Sequence, residues 1–373
     1  MSTVDPRALE PVEPQESPDD EAPPKIVITR RQALAFGLFV ASAVAFLYFV
    51  LPKLTGLKET WHRLDHGDPG WLVAAGLFEV VSFGGYIWLF RTIFIRGETR
   101  IGWRESYQIT MAGLAATRLF AAAGAGGIAL TAWALRRSGM KRRLVACRMV
   151  AFMVLLYTVY ALALMIGGFG LYLHVLHGSA PFAITMVPAI FGAVVFVLIY
   201  TTALVPQDVE RRLGGWAEGH GRGHKILARL AAAPASLASG VRTAVGIVRD
   251  RELGVLGGVV WWAFDIATLW AAFHAFSDTT PVIGIIVVAY FVGMLGNTLP
   301  LPGGIGGVDG GMIGAFAAFG VDFGLATVAV LTYRAFSFWL PTLPGAVAYL
   351  QLRKTVAHWR DERRAAGTIL SEV

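Results

Sequence analysis

One cysteine, Cys147, stands among 373 residues, which excludes an internal disulfide framework and any metal cluster held by thiolates. Charge is scarce as well. Only 15% of residues are Asp, Glu, Lys or Arg, where a soluble domain carries about a quarter, while 55% are hydrophobic and the mean hydropathy is +0.59. A water-soluble globule has too little interior to hide that much apolar surface, and the long uncharged runs mark a polytopic membrane protein. The N-terminus has neither a basic n-region nor a cleavage site, so no signal peptide is expected. No Lys-Ser/Thr follows the glycine-rich stretches, which excludes a Walker-type nucleotide loop. His174 and His177 lack metal-ligand spacing, and neither a metal nor another cofactor is expected. Acid is thin beyond the first 22 residues, which hold seven of the 25 Asp and Glu, so the remainder is more basic than the net +7 indicates. Nucleic-acid binding would be the misreading of an isoelectric point near 9.7. The basic residues fall instead in blocks at the ends of apolar runs, where topology and anionic lipid at the cytoplasmic face account for them.

What the chain does have is spans. Residues 1–24, rich in Pro, Glu and Asp with little to bury, read as a disordered tail. A transmembrane domain follows over 25–352, and a basic cytoplasmic tail over 353–373. Apolar runs at 33–51, 70–95, 144–171, 181–205, 253–276, 281–301 and 325–352 are long enough to cross a bilayer. Two further stretches are interrupted: 105–135 at Ala122–Gly127, and 281–320 at Pro300–Gly307. The expected fold is therefore all-α, with about seven to eight spans and two broken or re-entrant helical hairpins. The Ala-rich second half of the basic segment 206–252 is expected to lie along the membrane surface as an amphipathic helix.

Positive charge sets the orientation, because translocating Lys and Arg is disfavoured. The segments 25–32, 96–104, 136–143, 206–252 and 353–364 hold 24 of the 32 basic residues, whereas 52–69 holds three and the loops 172–180 and 277–280 hold none. Both termini are thereby expected in the cytoplasm. The stretch 105–135 must then begin and end inside, and 281–320 outside, so the two hairpins enter from opposite faces. A shift of 180 residues lays Gly124-Ala-Gly-Gly-Ile128 on Gly304-Ile-Gly-Gly-Val308. The intramembrane acids Glu79 and Asp265 are 186 apart, as are Arg148 and Arg334. These matches point to an inverted repeat, about 70–171 and 253–352, of the kind that places substrate near the midplane of transporters.

The chemistry-bearing residues gather at the second break. Pro300 and Pro302 end a helix and free carbonyls, which a membrane tolerates only where the backbone is buried or lines a cavity. Gly303, Gly304, Gly306 and Gly307 permit unusual backbone angles and close approach. A helix beginning near Val308, with Asp309 in its first turn, points its amides towards the break and suits a phosphate or carboxylate. Close helix packing is the competing reading of the same glycines. Arg334 lies nine residues inside an apolar span and should find a partner in the bundle, either a substrate phosphate, which its planar fork matches, or Asp265 in an ion pair. Asp265 is a counter-ion, a proton carrier or a ligand for a basic head group, and Glu79 has the same choices. Arg118, just before the first break, is a second phosphate candidate. Arg148, four residues from the cytoplasmic end, is expected to snorkel.

The stretch Leu299-Pro-Leu-Pro-Gly-Gly-Ile-Gly-Gly-Val-Asp-Gly-Gly311, then Phe319-Gly-Val321 and Leu331-Thr-Tyr-Arg-Ala-Phe-Ser-Phe-Trp-Leu-Pro341, resembles the lysylphosphatidylglycerol synthase transmembrane family, also called flippase-like or UPF0104. Arg118-Leu-Phe-Ala-Ala-Ala-Gly-Ala-Gly-Gly127 is similar to its first glycine motif, and Asp265 sits where that family often has an acid. Two departures stand out: Asp309 replaces a frequent Glu, and the proline expected near Ala122 or Ala123 is missing. The resemblance spans about residues 30–355. It implies a fold that moves phospholipids with modified head groups, or polyprenyl-linked sugars, between leaflets, with a membrane lipid as substrate and a separate lipid-modifying enzyme as a possible partner. Only 21 residues follow Leu352, so the aminoacyl-transferase domain fused to well-known members is not expected, nor is enzyme activity. The alternatives are a small-solute secondary transporter, which would use Asp265 and Glu79 as ion carriers, and a non-transporting scaffold for an envelope lipid enzyme.

Overall fold

The computed structural model describes residues 67–96, 100–119, 125–176, 182–202, 237–298, 304 and 306–371. The N-terminal tail, the expected first span at 33–51, residues 206–236 of the basic segment and Gly303 lie outside these. Among the described residues the fold is all-helical, without strands. Helix α1 spans Pro69–Phe94, α2 Trp103–Leu119, α3 Ala125–Arg137, α4 Arg142–Tyr172 and α5 Phe182–Thr202. Helix α6 covers residues 237–249. A 3₁₀ turn at Leu253–Val255 leads into α7, Leu256–Phe276. Helix α8, Ile283–Met294, ends in a 3₁₀ turn at Leu295–Thr298, and α9 is Gly307–Ala318. Helix α10, Phe323–Arg334, passes through a π-helical turn at Ala335–Trp339 into α11, Leu340–Ser371. Among the described residues five helices are long and apolar enough to cross a membrane: α1, α4, α5, Leu253–Phe276 and Phe323–Arg363. On α5 the large apolar side chains Val187, Ile190, Val194, Val197 and Leu198 are exposed, as befits a helix whose outer face meets lipid instead of water.

Local chemistry sets the ends. Asp68 accepts from Gly70 N at 2.7 Å with Pro69 in the first turn, and Asp322 accepts from Leu325 N at 2.9 Å, so α1 and α10 both begin on side-chain caps. Helices α1 and α7 run antiparallel in close contact over their lengths. Asp68 N donates to Ala275 O at 2.8 Å near one end, Thr268 Oγ1 to Ala75 O at 3.3 Å, and Ser82 Oγ to Trp261 O at 2.8 Å. The tightest approach is at Gly85 and Gly257, where a Cβ on Gly85 would stand 2.7 Å from Gly257 O and one on Gly257 2.5 Å from Gly85 O. Lipid tails give helices no hydrophobic reason to associate, and small residues that admit backbone contact supply the dispersion instead.

The two interrupted stretches are hairpins of short helices. Helix α2 packs on α3, with Gly113 against Gly127, and α8 on α9, with Gly293 against Met312. The order long helix, hairpin, long helix occurs at 69–172 and again at 256–371. Each long helix that closes one set packs on the hairpin of the other, α4 on α8 and α11 on α2. Tyr160 of α4 donates to Phe291 O at 2.7 Å, and Thr355 of α11 to Gln108 Oε1 at 2.9 Å. Two differences from the sequence reading are physical. The final span does not stop near Leu352 but continues as helix to Ser371, so the basic residues from Arg353 to Arg363 ride on a helix. Helix α6 is docked on protein, with Ala238, Val241, Ala244 and Ile247 buried on one face and Gly240 against Val150 of α4.

Candidate functional site

The hairpins, α1, α4, α7 and α10 surround a cavity of about 320 Å³. Much of its wall is apolar, with Phe90, Phe152, Met153 and Leu156 among the lining residues, whereas Glu79, Arg118, Asp265, Tyr333 and Arg334 bring charge and hydroxyls to it. Asn297 and Gly304 contribute from the second break.

Glu79 on α1 and Asp265 on α7 are 4% and 5% exposed, and the antiparallel register of those helices brings their carboxyl groups within hydrogen-bond reach of each other. The Tyr290 hydroxyl donates to Asp265 Oδ2 through a short bond, and Tyr333 donates to the same oxygen at 3.1 Å. Thr268 Oγ1 donates to Glu79 Oε2 at 3.2 Å. Asp265 Oδ1 is buried with no hydrogen-bond donor among the described residues.

Arg334 does not pair with Asp265, the ion-pair partner considered from sequence. Its Nε stands 2.7 Å from Asp309 Oδ1, and Asp309 Oδ2 accepts from Gly306 N at 2.9 Å. Asp309 thus closes the start of α9 and ties the break to α10 in one step. The guanidinium of Arg334 also lies 4.4 Å from the Phe338 ring centroid. Arg118 is half-buried at the end of α2, with its two Nη atoms donating to Ser337 O at 2.7 Å and Phe338 O at 3.2 Å. Those carbonyls belong to the π turn, where i→i+5 spacing disturbs the regular ladder, and a planar fork reaches two successive oxygens. Arg148 does not simply snorkel. It donates to Phe94 O at 2.7 Å and Arg96 O at 3.2 Å, satisfying the last carbonyl of α1 and one just beyond its C-cap.

At the break, Gly304 (φ +66°) is buried against Asn297 and Val308, Gly306 (φ +82°) is the N-cap of α9, and Gly307, its first residue, lies against Gly296. The structure therefore brings Glu79, Asp265, Arg118, Arg334, Asp309 and Gly304 to one region, with Gly306 and Gly307 at its rim. Sequence reasoning missed Tyr290, Tyr333, Thr268 and the π turn. Tyr333 had a usable signal in its place beside the intramembrane Arg334.

A family model described as "Lysylphosphatidylglycerol synthase TM region" matches residues 33–345. A UPF0104 membrane protein of Methanothermobacter thermautotrophicus is 31% identical over 184 residues, 44% of this chain and 54% of that protein, so the match spans about half of that relative's length. A longer match to a UPF0104 membrane protein of the same organism is 24% identical over 325 residues, 83% of this chain and 93% of the relative. The UPF0104 membrane protein MJ1595 of Methanocaldococcus jannaschii is 33% identical over 99 residues, 26% of this chain and 29% of the relative.

Proposed function

This chain belongs to the lysylphosphatidylglycerol synthase TM-region family, and from that premise we propose that it is a flippase, moving a phospholipid or polyprenyl-linked lipid between leaflets with the head group in the polar cavity. One observation carries the reading: a cavity inside the helical bundle of a multi-pass membrane protein is lined by two arginines and two carboxyl groups. Charge at that depth is costly unless something uses it. A volume of about 320 Å³ suits a head group and leaves no room for acyl chains, whose natural place is the bilayer. The guanidinium groups of Arg118 and Arg334 suit the lipid phosphate. The glycines of the second break keep side chains out of its approach. In this reading the protein acts in the plasma membrane with both termini cytoplasmic, as a transporter and not an enzyme, and a separate lipid-modifying enzyme would supply its substrate.

The test is reconstitution into vesicles holding head-group variants of a fluorescent phospholipid, with dithionite added outside. Protein-containing vesicles are expected to expose inner-leaflet probe to quenching within minutes, while protein-free vesicles keep about half of it protected. Protection unchanged by the protein for anionic, zwitterionic and cationic head groups would sink the reading, and uptake of a water-soluble solute in the same vesicles would favour a small-solute transporter.

A further inference from the structure

Two carboxyl groups brought within hydrogen-bond reach in a membrane interior need a proton between them, because two carboxylates at that distance repel each other with little water to screen them. Glu79 and Asp265 are so placed, and both are more than nine-tenths buried. Among the described residues neither is within ion-pair distance of a basic side chain. Arg118 directs its two Nη atoms to carbonyls, and the ion pair of Arg334 within the site is with Asp309. Asp265 carries the anionic end, since two tyrosine hydroxyls donate to its Oδ2. Its Oδ1 is buried, has no donor among the described residues and belongs to a side chain that lines the cavity. That oxygen is where the proton held by Glu79 would be received.

Charge balance supplies a second, independent argument. Among the described residues, the other ionisable groups next to the pair or on the cavity wall it shares come from six helices. Helix α1 adds Tyr86, α2 adds Arg118, α4 adds Tyr157, α8 adds Tyr290, and α10 adds Tyr333 and Arg334, the last tied to Asp309 of α9. With the phenols neutral, two arginines face three carboxyl groups among the described residues. One proton on the acid pair makes the cluster neutral, none leaves it at minus one, and two leave it at plus one. A site in a low-dielectric interior is held near neutrality, so a single proton is its resting load. An arriving head group with a charge of its own upsets that balance.

We propose that Glu79 and Asp265 form one proton-carrying site, and that uptake and release of this proton are coupled to lipid movement through the cavity. The coupling rests on the flippase reading above; the proton site does not. The proton comes from water on one face and returns to water on the other, so the step needs no further reactant. Because the two acids share it, the titration belongs to the pair and not to either residue.

Two measurements on the full chain in lipid bilayers separate the parts. Infrared difference spectra across a pH titration are expected to show a carboxylic C=O band that shifts in D₂O and is lost or displaced in both Glu79→Gln and Asp265→Asn. Absence of such a band in the parent protein, or its persistence in both variants, overturns the proton site whatever the transport result. In vesicles with fluorescent anionic phospholipid, a gradient of about one pH unit is expected to drive a leaflet asymmetry of up to about tenfold for one proton per lipid, collapsed by a protonophore. Lipid movement indifferent to the gradient overturns the coupling and leaves the flippase reading standing. A band with no lipid movement under any gradient upholds the proton site and overturns the flippase reading.

Discussion

Arg334 and Asp309 are 9% and 18% exposed at the side chain and 2.7 Å apart, so each is the other's compensation. Arg334→Met should therefore lower stability by roughly 3–5 kcal/mol, the usual cost of stranding one member of a buried pair. Adding Asp309→Asn should recover most of that loss, whereas adding Asp265→Asn should not. Thermal unfolding of purified protein in detergent reads both, and equal rescue by the two second substitutions would contradict the pairing. Gly304 makes a separate case. Its φ of +66° costs an ordinary residue about 1–2 kcal/mol, and a Cβ there would collide with Asn297 and stand 2.8 Å from Val308. Gly304→Leu is expected to abolish lipid movement and lower the melting temperature. Gly314→Ala, with nothing within 4 Å of the new Cβ, should be neutral or stabilising by about 0.5–1 kcal/mol, and a loss of function there would argue against the site's location. Glu79 and Asp265 were legible in the sequence because an acid in an apolar run has few innocent explanations. Tyr290 and Thr268 were not, since hydroxyl-bearing residues are ordinary in spans, and Asp309 as partner of Arg334 depends on how the break folds.

Among the elements, proline, glycine and blocks of charge made both hairpins readable in advance. These features act through the backbone and the solvent and need no tertiary information. The π turn at Ala335–Trp339 left no such mark. Arg118, 217 residues from its start, reaches Ser337 O and Phe338 O within it. Hydrogen bonds from a charged donor contribute about 1.5–3 kcal/mol each, so Arg118→Met should lower the melting temperature by several degrees and shift hydrogen exchange at 335–341 towards faster rates. Arg118→Lys should recover only part of this, because a single ammonium lacks the fork that reaches two oxygens. Exchange in Arg118→Met that is unchanged there would show the turn to be intrinsic to its own sequence. An amphipathic helix was expected where α6 lies, but its docking on α4 was not, because apolar residues at helical spacing look alike whether they meet lipid or protein.

For the whole molecule, orientation is the consequence most open to measurement. The proposed orientation, with both termini cytoplasmic, puts the exposed Asp278 in the loop after α7 outside, so Asp278→Cys in a Cys147→Ser background should react with a membrane-impermeant maleimide in intact cells. Cys147 contacts Ser239 Oγ and Thr243 Oγ1 at 3.4 and 3.2 Å, contacts a serine can keep. Labelling only after permeabilisation would invert the arrangement of both hairpins. Gly85 and Gly257 make the tightest contact along the antiparallel α1–α7 pair, and any rocking of the two helices would take it as its fulcrum. A helix rises about 1.5 Å per residue, which puts Glu79 roughly 9 Å from that fulcrum along α1 and Asp265 roughly 12 Å along α7. Rocking the two helices about it by about ten degrees would part the carboxyl groups by on the order of 1.5 Å, enough to open their hydrogen bond. At the glycines themselves the backbones would hardly move. The point of least motion would lie where the chains touch, and the greatest leverage where the charges are.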